Sequence, residues 1–150
     1  MSMPSGVSIA NDCLEAYNAL RFGRGSTRPK YLIFKITDDE KTVVLEHSSP
    51  TGDHEQFLEK LCSSVDRSGK PAPRYAVYDV EYSLGEDGRR CQTVFISWVP
   101  EHTSIKLCML YASTKEQFRN ALDIKHSIHA DTMDEIAWKN ILSVASGGRL

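Results

Sequence analysis

Two apolar segments joined by a short turn most constrain what this 150-residue chain can fold into. The first, residues 74–83 (RYAVYDVEYS), alternates along its length and carries acids toward its end, which is the period-two pattern of a strand. The second, residues 93–99 (TVFISWV), is apolar almost throughout, as is typical of a central strand covered on both faces. The glycine-containing turn between them predicts a hairpin at the centre of the fold.

Further strand and helix patterns surround this hairpin. Residues 31–36 and 42–47 are rich in β-branched and aromatic residues and predict a second hairpin, and residues 126–130 predict a short strand. Helical spacing predicts four helices, the longest over residues 104–122. The other three begin at capping signals, which are Ser8 or Asn11, Asp53 with Gln56, and Thr132 with Glu135. Because strands and helices do not alternate strictly, the pattern predicts a single α/β domain with a mixed sheet covered by helices.

Charge and composition narrow the class of protein. The formal net charge is -2, which argues against a broad nucleic-acid-binding surface, since such surfaces need a clear excess of Lys and Arg. The longest apolar run, residues 107–112, is far shorter than a membrane span requires. The first residues lack the pattern of a secretory signal, so we expect a cytoplasmic protein. The four cysteines form no C-x-x-C pair, which predicts free and mostly buried thiols.

The sequence contains few candidates for catalysis or metal binding. His126 and His129 lie near Asp131 and Asp134, but a three-residue offset on a strand directs the two imidazoles to opposite faces. No local signature marks a cysteine nucleophile, and the glycines of residues 23–26 follow a helix, whereas a dinucleotide-binding loop follows a strand. We therefore expect no enzymatic activity, no metal and no cofactor.

The basic face of the longest predicted helix allows two interpretations. This helix carries a single acid, Glu116, and three cations, which are Lys106, Lys115 and Arg119. A charged helix face is usually solvated. Met109 lies three residues beyond Lys106 on nearly the same face, and an exposed apolar residue among cations also suits insertion into a groove on a partner protein.

Four segments together resemble the actin-depolymerising factor and cofilin family. They are S-G-V near the start, YAVYDVEYSLGEDGRR, VFISWVPE and IKLCMLYASTKEQFRNAL, in the order of the family. The resemblance as a whole extends over essentially the whole chain. The resemblance implies an actin-depolymerising-factor homology fold over residues 1–150, with a mixed sheet of five or six strands between helices and a flexible N-terminus of about residues 1–7. It implies binding to actin monomers and filament sides, with severing and depolymerisation of filaments, and it requires neither a metal nor a cofactor.

The resemblance also implies two actin-binding surfaces. The first contacts both monomers and filaments and comprises Ser5, Gly6, Val7, Lys106, Met109, Glu116 and Arg119. The second contacts a neighbouring subunit in the filament through Arg89 and Arg90. Ser5 matches a serine that is phosphorylated in some relatives, and phosphoinositide lipids are expected to compete for the basic helix.

Departures from the family pattern leave alternatives to filament severing. Ser143, Val144 and Gly147 stand where relatives carry charges that bind filaments, and the loops of residues 21–30 and 67–73 are longer than usual. A relative that binds monomers or the filament-branching complex without severing is the nearest alternative. A thiol- or histidine-dependent enzyme is a remote one. In each case we expect a monomer that does not bind nucleic acid.

Overall fold

The structure is a computed structural model that describes residues 6–150. Its strands are β1 Ser8–Ile9, β2 Tyr31–Ile36, β3 Thr42–Ser49, β4 Arg74–Ser83, β5 Arg89–Trp98 and β6 His126–Ala130. Its α-helices are α1 Asn11–Phe22, α2 His54–Cys62, α3 Ile105–Leu122 and α4 Trp138–Ala145, with short 3-10 helices at Gly85–Asp87 and Met133–Ile136. Within residues 6–150, no helix combines the length and apolar character needed to cross a membrane.

All six strands form one mixed sheet in the order β1-β3-β2-β4-β5-β6. The two outer pairs, β1 with β3 and β5 with β6, are parallel, and the inner pairs are antiparallel. The hairpin of β4 and β5 pairs without interruption from Arg74 opposite Trp98 to Ser83 opposite Arg89. The predicted α/β domain with a mixed sheet is therefore confirmed, with six strands.

Helices cover both faces of the sheet because its inner strands are apolar on both faces. On one face α1 and α3 pack against the sheet, and that core includes Cys13, Tyr17, Leu20, Phe34, Tyr75, Val77, Phe95, Tyr111 and Phe118. On the other face α2 and α4 pack, and that core includes Tyr31, Phe57, Leu61, Tyr78, Val94, Ile96, Ile136 and Ile141. Alternate residues of β4 enter opposite cores, as the period-two pattern predicts.

The chain is anchored to the sheet from Val7 onward. Val7 is fully buried, and Ser8 lies in β1 opposite Thr42 of β3. The predicted flexible segment of about residues 1–7 is therefore wrong at Val7, because this side chain packs in the core beneath α1. The predicted caps are also wrong: Ser8 is in a strand, and Asn11 is the first residue of α1 rather than the residue before it. Ser5 lies outside the described residues.

The two other capping predictions are confirmed only in part. Asp53 caps α2 by accepting hydrogen bonds from the backbone of Glu55 and Gln56, but the Gln56 side chain accepts from the Tyr31 hydroxyl instead of returning to the cap. The Thr132–Glu135 capping box forms, yet it opens the short 3-10 helix Met133–Ile136. Ala137 is extended, so α4 begins separately at Trp138.

Candidate functional site

Helix α3 presents an exposed apolar stripe opposite its buried face. Its side chains that enter the core recur every three or four residues, and they are Tyr111, Thr114, Phe118 and Leu122. Exposed residues recur at the same spacing on the other side, and they are Ile105, Met109, Ala112 and Glu116. Ile105 is 79% exposed and Met109 is 68% exposed. Both are large apolar side chains facing solvent at the start of one helix, as a partner-binding surface requires.

Lys106 borders this stripe and is held in place by Glu40. Its ammonium lies 2.9 Å from a Glu40 carboxylate oxygen, while 76% of the lysine side chain remains exposed. Glu40 belongs to the turn between β2 and β3 and has a φ of 65°, in the left-handed region. The ion pair therefore leaves most of the lysine side chain open to solvent.

Arg119 lies on the other side of the stripe, since a helix turns 100° per residue. Its guanidinium donates to the Ile124 carbonyl at 2.9 Å and to Glu116 at 2.6 Å. This hydrogen bond holds the pKa of Glu116 below its usual value. Only 22% of the Arg119 side chain is exposed, so the residue also ties the end of α3 to the segment that follows it. Sequence reasoning missed this second role, although an arginine in the last turn of a helix often binds free carbonyls.

The N-terminal residues enter the fold beside Glu40. The Ser8 amide donates to the carbonyl of Lys41, next to the glutamate that binds Lys106. Gly6 is exposed and has a φ of 83°, a conformation that favours glycine. The structure thus brings Gly6 and the start of α3 toward the same turn, whereas the buried Val7 acts as an anchor.

The second predicted surface lies at the far end of the central hairpin. Arg89 and Arg90 open β5 after a turn in which Gly85 and Gly88 adopt positive φ angles of 67° and 85°. Ten residues of β5 at about 3.3 Å per residue separate this turn from the segment that leads into α3 by about 30 Å. Arg89 is 80% exposed, and its guanidinium lies 3.0 Å from Glu81. The turn and the start of α3 therefore lie at opposite ends of the sheet, whereas Glu116 and Arg119 lie further along α3 toward the end that carries the turn.

Two cations of the loop of residues 21–30 form ion pairs with the acids of β4. Arg28 lies 2.8 Å from Asp79 and also donates to the Leu20 carbonyl, and the Lys30 ammonium binds Glu81. The alternation of β4 places Asp79 and Glu81 on one face, which is the sequence signal for this pairing. With Cys91 they also form a group whose ligand atoms lie within 4.8 Å of one another, but both carboxylates already face cations.

Three of the four cysteines lie where the reactive thiolate form is disfavoured. All four are free, and Cys13 is buried, but Cys62 and Cys91 are exposed, so the prediction of mostly buried thiols is wrong. Burial raises the pKa of Cys13 to about 12 and raises the pKa of Cys62 and Cys91. Because the thiolate is the reactive form, these environments oppose thiol catalysis at neutral pH.

Comparison with known proteins gives concordant matches along the chain. Residues 6–146 match the family described as Cofilin/tropomyosin-type actin-binding protein. The chain is 36% identical over 150 residues to Cofilin of Gibberella zeae, with 96% of each chain covered. It is 36% identical over 143 residues to Cofilin of Schizosaccharomyces pombe, with 92% of this chain and 93% of that chain covered.

Solved structures show the same fold. The crystal structure of Streptomyces griseoflavus Cofilin matches with a TM-score of 0.80 and 33% identity, covering 95% of this chain and 99% of that one. Coactosin from Entamoeba histolytica, at 19% identity, matches with a TM-score of 0.78 over 96% of this chain and 97% of its own. At 19% identity, the match to coactosin shows a common fold and nothing about function.

Proposed function

This chain belongs to the cofilin family of actin-binding proteins, and from that premise we propose that it binds actin monomers and filament sides and promotes filament severing and depolymerisation. The observation that carries the proposal is the exposed apolar stripe at the start of α3. Ile105 and Met109 project from a helix whose opposite face is fixed in the core. A rigid amphipathic helix with apolar anchors suits a groove on a partner.

The stripe supplies the apolar part of the first surface. Burying a side chain the size of Met109 or Ile105 contributes about 1.5 to 3 kcal/mol when it passes fully out of water. Lys106 at the border adds a positioned positive charge, which favours an acidic partner surface and speeds association. We assign monomer binding to this surface, with Gly6, Glu116 and Arg119 around it and Ser5 just before the described residues.

The second surface supports filament binding and severing. Because Arg89 and Arg90 lie about 30 Å along β5 from the start of α3, one molecule can contact two neighbouring subunits at once. Binding that favours one subunit arrangement shifts a filament toward that arrangement by the difference in affinity. A filament held at two points by each bound molecule is therefore expected to change its subunit packing and to break where occupied and bare segments meet.

One observation favours a weaker form of this activity. Ser143, Val144 and Gly147 at the end of α4 carry no charge, although the family resemblance assigns filament-binding charges to these positions. A protein that binds monomers or the filament-branching complex without severing is the second candidate. It would keep the α3 surface and lack part of the filament surface.

Regulation and location follow from the same surfaces. Phosphorylation of Ser5 would add a negative charge one residue before Gly6 in the sequence and repel an acidic partner. Anionic phosphoinositide headgroups would compete with actin for the cations of α3, among them Lys106 and Lys115. We infer a cytoplasmic monomer of the actin cytoskeleton that acts by binding rather than by catalysis.

Sedimentation with actin filaments at graded ratios tests the proposal. Side binding puts the protein in the pellet in proportion to filament, and severing raises the number of filament ends seen by microscopy. Monomer sequestration leaves the protein in the supernatant together with additional actin, which would support the second candidate. Absence of any effect on actin would contradict both.

A further inference from the structure

Residues 21–30, here called the basic loop, carry four cations and no acid. They comprise the end of α1 and the segment that leads into β2. Arg21 and Arg24 are exposed, and Phe22 is 68% exposed with the Arg21 guanidinium 4.8 Å from its ring centroid. The loop therefore offers an exposed aromatic ring among cations, which resembles the composition of protein-binding surfaces.

Glu81 joins the basic loop to the turn that carries the second actin-binding surface. One of its carboxylate oxygens binds the Lys30 ammonium, and the other lies 3.0 Å from the Arg89 guanidinium. Arg28 lies 4.0 Å from the same carboxylate and 2.8 Å from Asp79. A single glutamate thus binds a cation from each segment, so the basic loop and the turn form one continuous surface.

The loop is more cationic than the turn it adjoins. The turn carries Glu86 and Asp87 beside its two arginines, so its own charges are balanced. In the loop, Arg28 and Lys30 are used to bind the acids of β4, which leaves Arg21 and Arg24 facing outward. In a chain with a net charge of -2, this is a local excess of positive charge.

The end of α4 lies across β4 from Glu81. The Tyr82 hydroxyl donates to the Ala145 carbonyl at 3.4 Å, and neighbouring residues of a strand face opposite sides of a sheet. The turn with Arg89 and Arg90 is therefore flanked by α4 on one side and by the basic loop on the other. The α4 side lacks charge at Ser143, Val144 and Gly147, whereas the loop side is strongly basic.

We infer that the basic loop is part of the filament-binding surface and that Arg21 and Arg24 bind an acidic patch on the neighbouring filament subunit. The inference rests on the proposed function. The loop supplies, on one side of the turn, the positive charge that the end of α4 lacks on the other. Phe22 adds apolar contact area within the same patch, and the Arg21 guanidinium lies 4.8 Å from its ring centroid.

The double variant Arg21→Ala/Arg24→Ala tests this inference, with Arg67→Ala as the control. Arg67 is an exposed loop arginine at the opposite end of β4 from Glu81, where it lines a cleft with Glu40 and Lys106. Any effect of Arg67→Ala on the first surface therefore shows in monomer titration, and only a loss confined to filaments is compared between the two variants. The double variant is expected to bind filaments about three- to tenfold more weakly, with a shallower dependence on salt concentration. Its affinity for actin monomers and its melting temperature should stay near those of the wild type, and Arg67→Ala should retain filament binding within about twofold.

Each outcome separates the inference from the proposed function. Failure of the wild type to bind filaments would overturn both. Wild-type filament binding with an unchanged double variant would overturn only the role of the loop. An equal loss in the double variant and in Arg67→Ala would show a general charge effect, which also contradicts a local contact. Loss of binding to anionic lipid vesicles, with filament binding intact, would assign the loop to a membrane surface instead.

Discussion

Lys106 and Glu40 lie 2.9 Å apart, and their ion pair links the start of α3 to the turn between β2 and β3. The same turn receives the N-terminal segment, because Ser8 hydrogen-bonds to Lys41. Two parts of the proposed monomer-binding surface that are about a hundred residues apart in sequence thus meet at Glu40. The ion pair is solvent-exposed on the lysine side, so its contribution to stability is small, and Glu40 competes with a partner for the lysine charge.

Lys106→Ala is expected to weaken binding to actin monomers by about 1 to 2 kcal/mol, which is roughly five- to thirtyfold in Kd. The loss follows from removing a positioned charge at the border of the apolar stripe. Glu40→Gln is the matched control, because it breaks the ion pair and leaves the lysine free to bind. Titration of labelled actin monomer should show wild-type or tighter binding for Glu40→Gln. Unchanged binding by Lys106→Ala would remove this residue from the surface.

The double change of Arg89 and Arg90 to alanine is expected to weaken filament binding and to leave monomer binding within about threefold, or ~0.7 kcal/mol. Charges at the rim of an interface contribute about 1 kcal/mol or less each and act partly through the association rate. Co-sedimentation at two salt concentrations, together with monomer titration, measures both effects. An equal loss of monomer affinity would contradict the assignment of two separate surfaces.

Ser5→Glu is expected to weaken binding to monomers and filaments together. The added charge would precede Gly6 in the sequence and would repel an acidic partner surface. Its melting temperature should match that of the wild type, because the substitution lies outside the core that begins at Val7. Ser5→Ala controls for loss of the hydroxyl. Full actin binding by Ser5→Glu would exclude the N-terminus from the interface.

The buried ion pair of Arg74 and Glu46 should make stability depend on pH. The two side chains lie 2.8 Å apart, with 7% and 21% of their surfaces exposed. Burial opposes ionisation of Glu46, but the hydrogen bond and charge of Arg74 outweigh it, so the pKa of Glu46 is lowered. A lowered pKa means that the pair stabilises the fold above the ordinary carboxyl pKa and loses this effect as pH falls through the lowered value.

Urea unfolding of the wild type and Glu46→Gln at several pH values measures this contribution. At pH 7 the variant should be less stable by about 3 kcal/mol, because it leaves the Arg74 charge buried without its partner. The difference should begin to shrink below the ordinary carboxyl pKa of about 4.3, where the unfolded chain takes up the proton, and should be lost as pH falls through the lowered pKa of the folded protein. A difference that stays constant from pH 7 to pH 3 would show that charge is not its source.

The segments predicted best are those whose pattern is set by burial. β4 and β2 begin and end where the sequence predicts, because their apolar residues face covered parts of the sheet. β5 begins at Arg89, four residues before the predicted start. Residues 89–92 of β5 pair with β4 but are exposed. The sequence therefore shows no apolar pattern over these residues that would predict a strand.

The features missed depend on contacts between distant residues. β1 has two residues, and its Ser-Ile sequence looks like the start of a helix, so only its pairing with β3 reveals it. The bond between Lys30 and Glu81 joins residues that are 51 apart, and no local pattern specifies it. Spacing alone indicates an exposed Met109 on α3, but the same spacing predicts Ile105 as a buried anchor, which is wrong because Ile105 is 79% exposed at the start of the helix.

We expect Arg119 to contribute to the stability of the fold, whereas Lys106 should not. Its guanidinium donates to the Ile124 carbonyl at 2.9 Å and binds Glu116, and it is mostly buried. Arg119→Ala removes a bond that ties the end of α3 to the segment leading into β6. A lost bond from a charged donor costs about 1.5 to 3 kcal/mol of stability. For a chain of this size, each kcal/mol corresponds to about 2 to 4 °C in Tm. Lys106→Ala should leave Tm unchanged.

Binding separates the two roles of Arg119. If its charge also contacts actin, Arg119→Ala lowers monomer affinity by about 1 to 2 kcal/mol, and Arg119→Lys restores much of this affinity but less of the Tm, because lysine lacks the planar fork. Thirteen residues at 1.5 Å each place Arg119 about 20 Å along the helix from Lys106, so the losses in the double alanine variant should add. Monomer titration and thermal unfolding of the three variants measure both quantities. A lowered Tm with wild-type affinity for Arg119→Ala would make this residue purely structural and confine the monomer contact to the first half of α3.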